Sequence, residues 1–123
     1  MMTHKHRAIQ FLQSVVDGKI DEAYELYVDM NGKHHNMFFS GDFSSLMRGM
    51  KENHEKFPYK KLTVKHALED GAFVAVHSHL VFHEEETGMI VIHLFRFENN
   101  KIVELWDCGQ AIPSESTNKE GAF

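Results

Sequence analysis

The apolar residues of this chain change their spacing about halfway along, from a helical period to a strand period. From Lys5 to Val16, the residues Ala8, Ile9, Phe11, Leu12, Val15 and Val16 recur at the spacing of a helix with one buried stripe. Asp17-Gly18 ends that helix, with glycine where helices commonly close in a left-handed residue. Ile20 to Asp29 repeats the pattern through Ile20, Ala23, Tyr24, Tyr27 and Val28, so a helical hairpin is expected. Asn31-Gly32 reads as a turn and Lys33 to Gly41 as irregular chain. Asp42 is placed to cap a third helix carrying Leu46, Met47, Met50, His54 and Phe57, which Pro58 ends.

Beyond Pro58 the period falls to two. Lys61 to Glu69 puts Leu62, Val64, His66 and Leu68 on one face, Asp70-Gly71 signals a hairpin, and Ala72 to His83 is rich in Val and Phe. Glu86-Thr87-Gly88 turns the chain into Met89 to Glu98, and Asn99-Asn100 turns it again into Lys101 to Ala111. Links this short require antiparallel neighbours. The expectation is one α+β domain over residues 1–123, with three N-terminal helices closing a curved antiparallel sheet into a cone around a pocket. The segment Pro113 to Gly121 is polar and without period, and is expected to be a mobile tail with a possible anchor at Ala122-Phe123.

Composition narrows the partners. A hydrophobic content of 42% with ten Phe supports a real core, and a net charge of -5 with interleaved signs gives no basic stripe for nucleic acid. The apolar runs are too short for a membrane span and the start lacks the apolar stretch of a signal peptide, so a cytoplasmic protein is expected. Cys108 alone allows no internal disulfide. Both faces of the last two strands are largely apolar, as in Ile90, Ile92 and Leu94 against Val91, Phe95 and Phe97. A homodimer through the outer sheet face would cover the second of them.

Ten His in so small a chain invite a search for chemistry. His4 and His6 fall at a terminus expected to fray, and His54 on a helix surface. His77 and His79 share one face of a strand, and His93 lies on the next with Val91, Phe95 and Phe97. Asp107 shares its stripe with Val103 and Leu105, an ionisable group in apolar company and a setting suited to acid/base work. Asp107 and His93 lie at similar distances from the Asn99-Asn100 turn, which brings them side by side on adjacent strands. Trp106 and Arg96 have the opposite parity and are read as outer-face residues.

The order helix, helix, His35-Asn36, helix, four strands resembles the SnoaL-like polyketide cyclase family of the nuclear transport factor two-like superfamily. The likeness covers nearly the whole chain and is most specific from Phe95-Arg96-Phe97 through Lys101-Ile102-Val103-Glu104-Leu105-Trp106-Asp107. It implies a cone-shaped fold and aldol-type lyase or isomerase chemistry on a small carbonyl compound, with no cofactor and no metal. It also implies an acid/base pair of an Asp and a His fourteen positions apart, the separation of His93 and Asp107. His35 and Asn36, and with them His77 and His79, are the candidate substrate contacts.

Two other classes stay open. His77-x-His79 followed by Glu84 matches the start of a cupin metal motif, whose second half is absent. A non-catalytic binder of an apolar ligand, or a dimerisation module of the same fold, would need the pocket but no chemistry.

Overall fold

The computed structural model describes residues 2–84 and 86–123. Three helices lead: α1 (His4–Val16), α2 (Ile20–Tyr27) and, after β1 (Val28–His34), α3 (Phe43–Lys56). The strands β2 (Lys61–Asp70), β3 (Phe73–Val81), β4 (Met89–Glu98) and β5 (Lys101–Ala111) follow. Local chemistry sets the ends. Thr3 caps α1 by accepting from the His6 N–H at 3.0 Å, and Asp42 caps α3 by accepting from the Ser45 N–H at 2.9 Å. Asn99 and Asn100 take positive φ of 50° and 64° to close the β4–β5 hairpin.

The sheet order is β1-β5-β4-β3-β2, antiparallel except for β1, which lies parallel to β5. The sheet is therefore mixed, not the all-antiparallel sheet expected. Asn31-Gly32 does not turn the chain back. It is absorbed where the β1 register shifts between Val28 and Lys33. A Cβ at Gly32 would run into the Val103 carbonyl and the Phe43 ring, so only glycine lets β1 lie this close to β5.

Two further register shifts redirect side chains. One falls between Val64 and His66. Past it, Ala67 packs against the core while Leu68 is 71% exposed, so His66 and Leu68 leave the face they were expected to share with Leu62 and Val64. The other falls between Arg96 and Phe97, opposite Glu104 and Ile102. It puts Ile102 into the main core in place of Val103.

The helices cover one face of the sheet, with α1 against β2 and β3, α2 against α1 and β1, and α3 against β1. Ala8, Phe11, Ala23, Tyr24, Phe43, Val74, Val76, Phe95 and Ile102 are all but inaccessible to solvent between them. His4 is not frayed: its Nδ1 lies 3.0 Å from the Gly71 carbonyl and its ring stacks 4.6 Å from Phe97. The C-terminal segment forms bends and turns without a helix or strand. Phe123 lands on the outer sheet face, 4.9 Å from the His79 ring and 5.4 Å from that of His77.

Candidate active site

A cavity of about 370 Å³ opens between the helices and the inner face of the sheet. Its wall is mostly apolar, from Phe11, Leu12, Val15, Leu46, Leu62, Leu80, Val91 and Leu105, among others. Into it project His93, Asp107, Asn36, Tyr24 and, at the β2 side, Lys60. His93 and Asp107 are direct partners across β4 and β5. Inward alternation on these strands puts His93 between Val91 and Phe95, and Asp107 beyond Leu105.

The loop after β1 delivers Asn36. Its Nδ2 donates to Asp107 at 3.0 Å and 3.3 Å, one distance to each carboxylate oxygen. Its Oδ1 accepts from the Phe38 N–H at 3.0 Å, which fixes which end of the amide faces the carboxylate. The buried His34 wires the same loop. Its Nδ1 accepts from the Asn36 N–H at 3.1 Å, so its Nε2–H must be the proton directed at the Ser40 carbonyl, 2.6 Å away.

Burial shapes the two other polar groups. The His93 imidazole is pushed down from 6.5 to about 4 by burial, against the pull of the neighbouring Asp107 charge, so the ring is neutral near neutral pH. Its Nδ1 is closed to solvent and has no hydrogen-bond partner among the described residues. A buried polar atom in that state calls for a partner brought by a ligand or by water. The Tyr24 phenol is held well above its usual range, first by burial and then by the charge of Asp107, so it keeps its proton. Phe11 packs edge-on against the Tyr24 ring at 5.2 Å and Phe43 at 6.3 Å. The site thus brings together one carboxylate, one neutral imidazole and one neutral phenol in a largely apolar cavity.

Not every expected contact joins them. His77 and His79 face outward, because Val74, Val76, Ser78 and Leu80 take the inward positions of β3. His77 Nδ1 lies 3.0 Å from His66 Nδ1, and His79 Nε2 donates to the Thr87 carbonyl at 2.7 Å. His35 borders the cavity mouth by its place in the loop, but its ring goes to the outer face. There it stacks 5.1 Å from Trp106, and its Nε2 donates to Glu104 at 2.6 Å. Arg96 holds the same carboxylate at 3.1 Å, which confirms Trp106 and Arg96 as outer-face residues. Successive residues 35 and 36 therefore straddle the edge of β5. The alternation that would settle their direction in a strand does not extend into a loop.

Among the described residues no group of three or more His, Cys, Asp or Glu side chains converges as a metal site, so His77, His79 and Glu84 do not assemble the cupin-like triad. No helix is long and apolar enough to cross a membrane. Tyr24 and Lys60 were not singled out by sequence. Tyr24 was legible only as a buried residue of the second helix, and Lys60 carries no motif.

In sequence, no family model and no curated protein matches the chain. In structure, it is similar to a SnoaL-like polyketide cyclase from Agrobacterium tumefaciens, with a TM-score of 0.72 at 17% identity over 89% of this chain and 93% of that one. An NTF2-like protein of unknown function from Cytophaga hutchinsonii gives 0.72 at 14% identity, covering 89% and 92%. An uncharacterised cystatin fold protein from Novosphingobium aromaticivorans gives 0.73 at 14% identity, covering 88% and 99%. Three helices on a curved five-stranded mixed sheet, enclosing a pocket against its inner face, are the NTF2-like fold that SnoaL-like cyclases also adopt.

Proposed function

We propose that this protein is a cofactor-free lyase or isomerase that enolises a small carbonyl compound, with Asp107 as the base. The observation that carries this reading is the Asn36-held carboxylate of Asp107 beside a neutral His93 whose Nδ1 is buried without a partner. In the proposed step the Asp107 carboxylate takes a proton from the carbon next to the substrate carbonyl. The C–H electron pair becomes the enolate double bond and the carbonyl pair moves onto oxygen. A neutral N–H or O–H donor then stabilises that oxygen without bringing a competing positive charge, and His93 and Tyr24 are the candidates. Attack of the enolate carbon on a second carbonyl of the same molecule closes a ring, and reprotonation elsewhere isomerises it.

Positioned proton transfer contributes on the order of a hundred- to ten-thousand-fold in rate. After a turnover screen against cyclic ketones, aldehydes and polyketide-like aromatics, Asp107→Asn is expected to lose that factor with an unchanged circular dichroism spectrum. Full activity in Asp107→Asn would refute the assignment.

The outer face is read as the surface for a second copy of the chain. Leu68, Phe73 and Ile92 are 71%, 42% and 38% exposed there, near Trp106 and beside the paired His66 and His77. Sedimentation at micromolar concentration is expected to show a dimer that Ile92→Lys dissociates. A wild-type monomer at every concentration would remove this reading and leave the pocket untouched.

A further inference from the structure

The cavity has a second polar end that the proposed chemistry does not use. Asp107, His93 and Asn36 gather at the β5 side of the wall, while Lys60 enters the lining from the chain just before β2. Between the two ends the lining is apolar, with Leu12, Val15, Met50, Leu62, Leu80 and Val91. Strands β5 and β2 are separated by β4 and β3. At about 4.8 Å per strand spacing, β5 and β2 lie roughly 14 Å apart measured along the sheet.

Lys60 is the one Lys or Arg among the described residues that line this cavity. It takes part in no ion pair or hydrogen bond with another described side chain. The acidic group that shares the cavity, Asp107, belongs to the opposite end and is held there by Asn36. Partial burial disfavours the Lys60 ammonium and lowers its pKa from 10.5. A partly desolvated cation in an apolar wall gains most from an anion arriving with the ligand.

We propose that Lys60 anchors the carboxylate of an organic acid whose apolar body fills the cavity toward Asp107 and His93. The substrate class of the proposed enolisation is then an amphipathic keto acid or aldehyde acid, with its carboxylate remote from the reacting carbonyl. The binding half of this inference stands on Lys60 alone, and the identity of the reacting end rests on the function proposed above. Lys60 touches no reacting atom in this scheme. It sets which molecules bind and which way round they enter.

Titration calorimetry with decanoate and methyl decanoate, both below micelle-forming concentration, isolates the charge from the apolar body. Wild type is expected to bind the acid about tenfold or more tighter than the ester, the scale of a charge-assisted hydrogen bond at a partly buried site. Lys60→Gln is expected to erase the preference by weakening the acid and leaving the ester alone, and Lys60→Arg to restore most of it. Failure of the acid to bind, equal binding of acid and ester to wild type, or a preference that survives in Lys60→Gln would each overturn the anchor. Asp107→Asn, run alongside, is expected to keep the preference. A kept preference with no Asp107-dependent turnover would sink the catalytic proposal and leave the anchor standing, whereas turnover without the preference would do the reverse.

Discussion

The two faces of the sheet treat the same residue types in opposite ways. On the inner face His93 is half-buried, stacked at 6.0 Å on the fully buried Phe95, and left with an unpartnered Nδ1. On the outer face His66 and His77 stack at 5.2 Å and lie Nδ1 to Nδ1 at 3.0 Å, so one imidazole donates and the other accepts. Carboxylates follow the same division. Asp107 inside is held by one neutral amide. Glu104 outside is held by His35 and Arg96, with Lys33 at 3.9 Å. The outer polar groups satisfy one another and the inner ones are left to meet a ligand. That contrast, more than any single residue, is why the proposed chemistry is placed on the inner face, because a buried group without a partner calls for a reason.

The sharpest way to break the contrast is to titrate it. His93 binds a proton less readily in the folded chain than in the unfolded one, so the unfolded state takes up more protons as the pH falls. The stability tied to a neutral His93 is complete above 6.5 and is lost as the pH drops through about 4. At 1.36 kcal/mol per unit the whole loss is about 3–4 kcal/mol. Urea denaturation of wild type and His93→Gln across that window is expected to show the wild type losing stability by this amount relative to the variant. Parallel curves would mean that His93 is solvated like its outer-face counterparts.

How much of this was legible in the sequence depends on whether a period governs the residue. The switch from helical to alternating spacing located the three helices and four of the strands, and Asp42 and Asn99-Asn100 fixed a cap and a turn through their own backbone chemistry. The tight turn put His93 and Asp107 within one position of each other across β4 and β5, and the extra residue at Val103 brings them into direct register, since the turn alone would pair His93 with Trp106. Parity failed wherever a register shift intervened. One extra residue near Lys65 sent His66 outward, and another at Val103 exchanged it with Ile102 in the core. Alternation carries no mark of where a bulge will fall. Strand β1 was missed because Asn31-Gly32 has strong turn propensity, overridden here by pairing with β5. Tyr24 and Lys60 reach the cavity from elements far apart in sequence, and only the packing of those elements decides that they meet.

A smaller perturbation tests whether the two faces act independently, since residues 35 and 36 join them across the edge of β5. The Glu104 carboxyl is held below its usual range, first by the hydrogen bond from His35 and then by Arg96 and Lys33. Its contribution to stability is present above the ordinary carboxylate range and lost as the pH falls through the lowered value. In His35→Ala the Arg96 contact remains, and the His35 side chain is 41% exposed, so solvent screening keeps the loss under about 1 kcal/mol. The Glu104 titration, followed by carbon-detected magnetic resonance, is expected to move upward in the variant. The Asn36 amide keeps its own anchors at His34 and Phe38, so Asp107 is expected to stay in place and the His93-linked loss of stability between 6.5 and about 4 to persist unchanged. If His35→Ala flattened that slope as well, the outer cluster would be setting the geometry of the inner one, and the two faces would have to be treated as a single site.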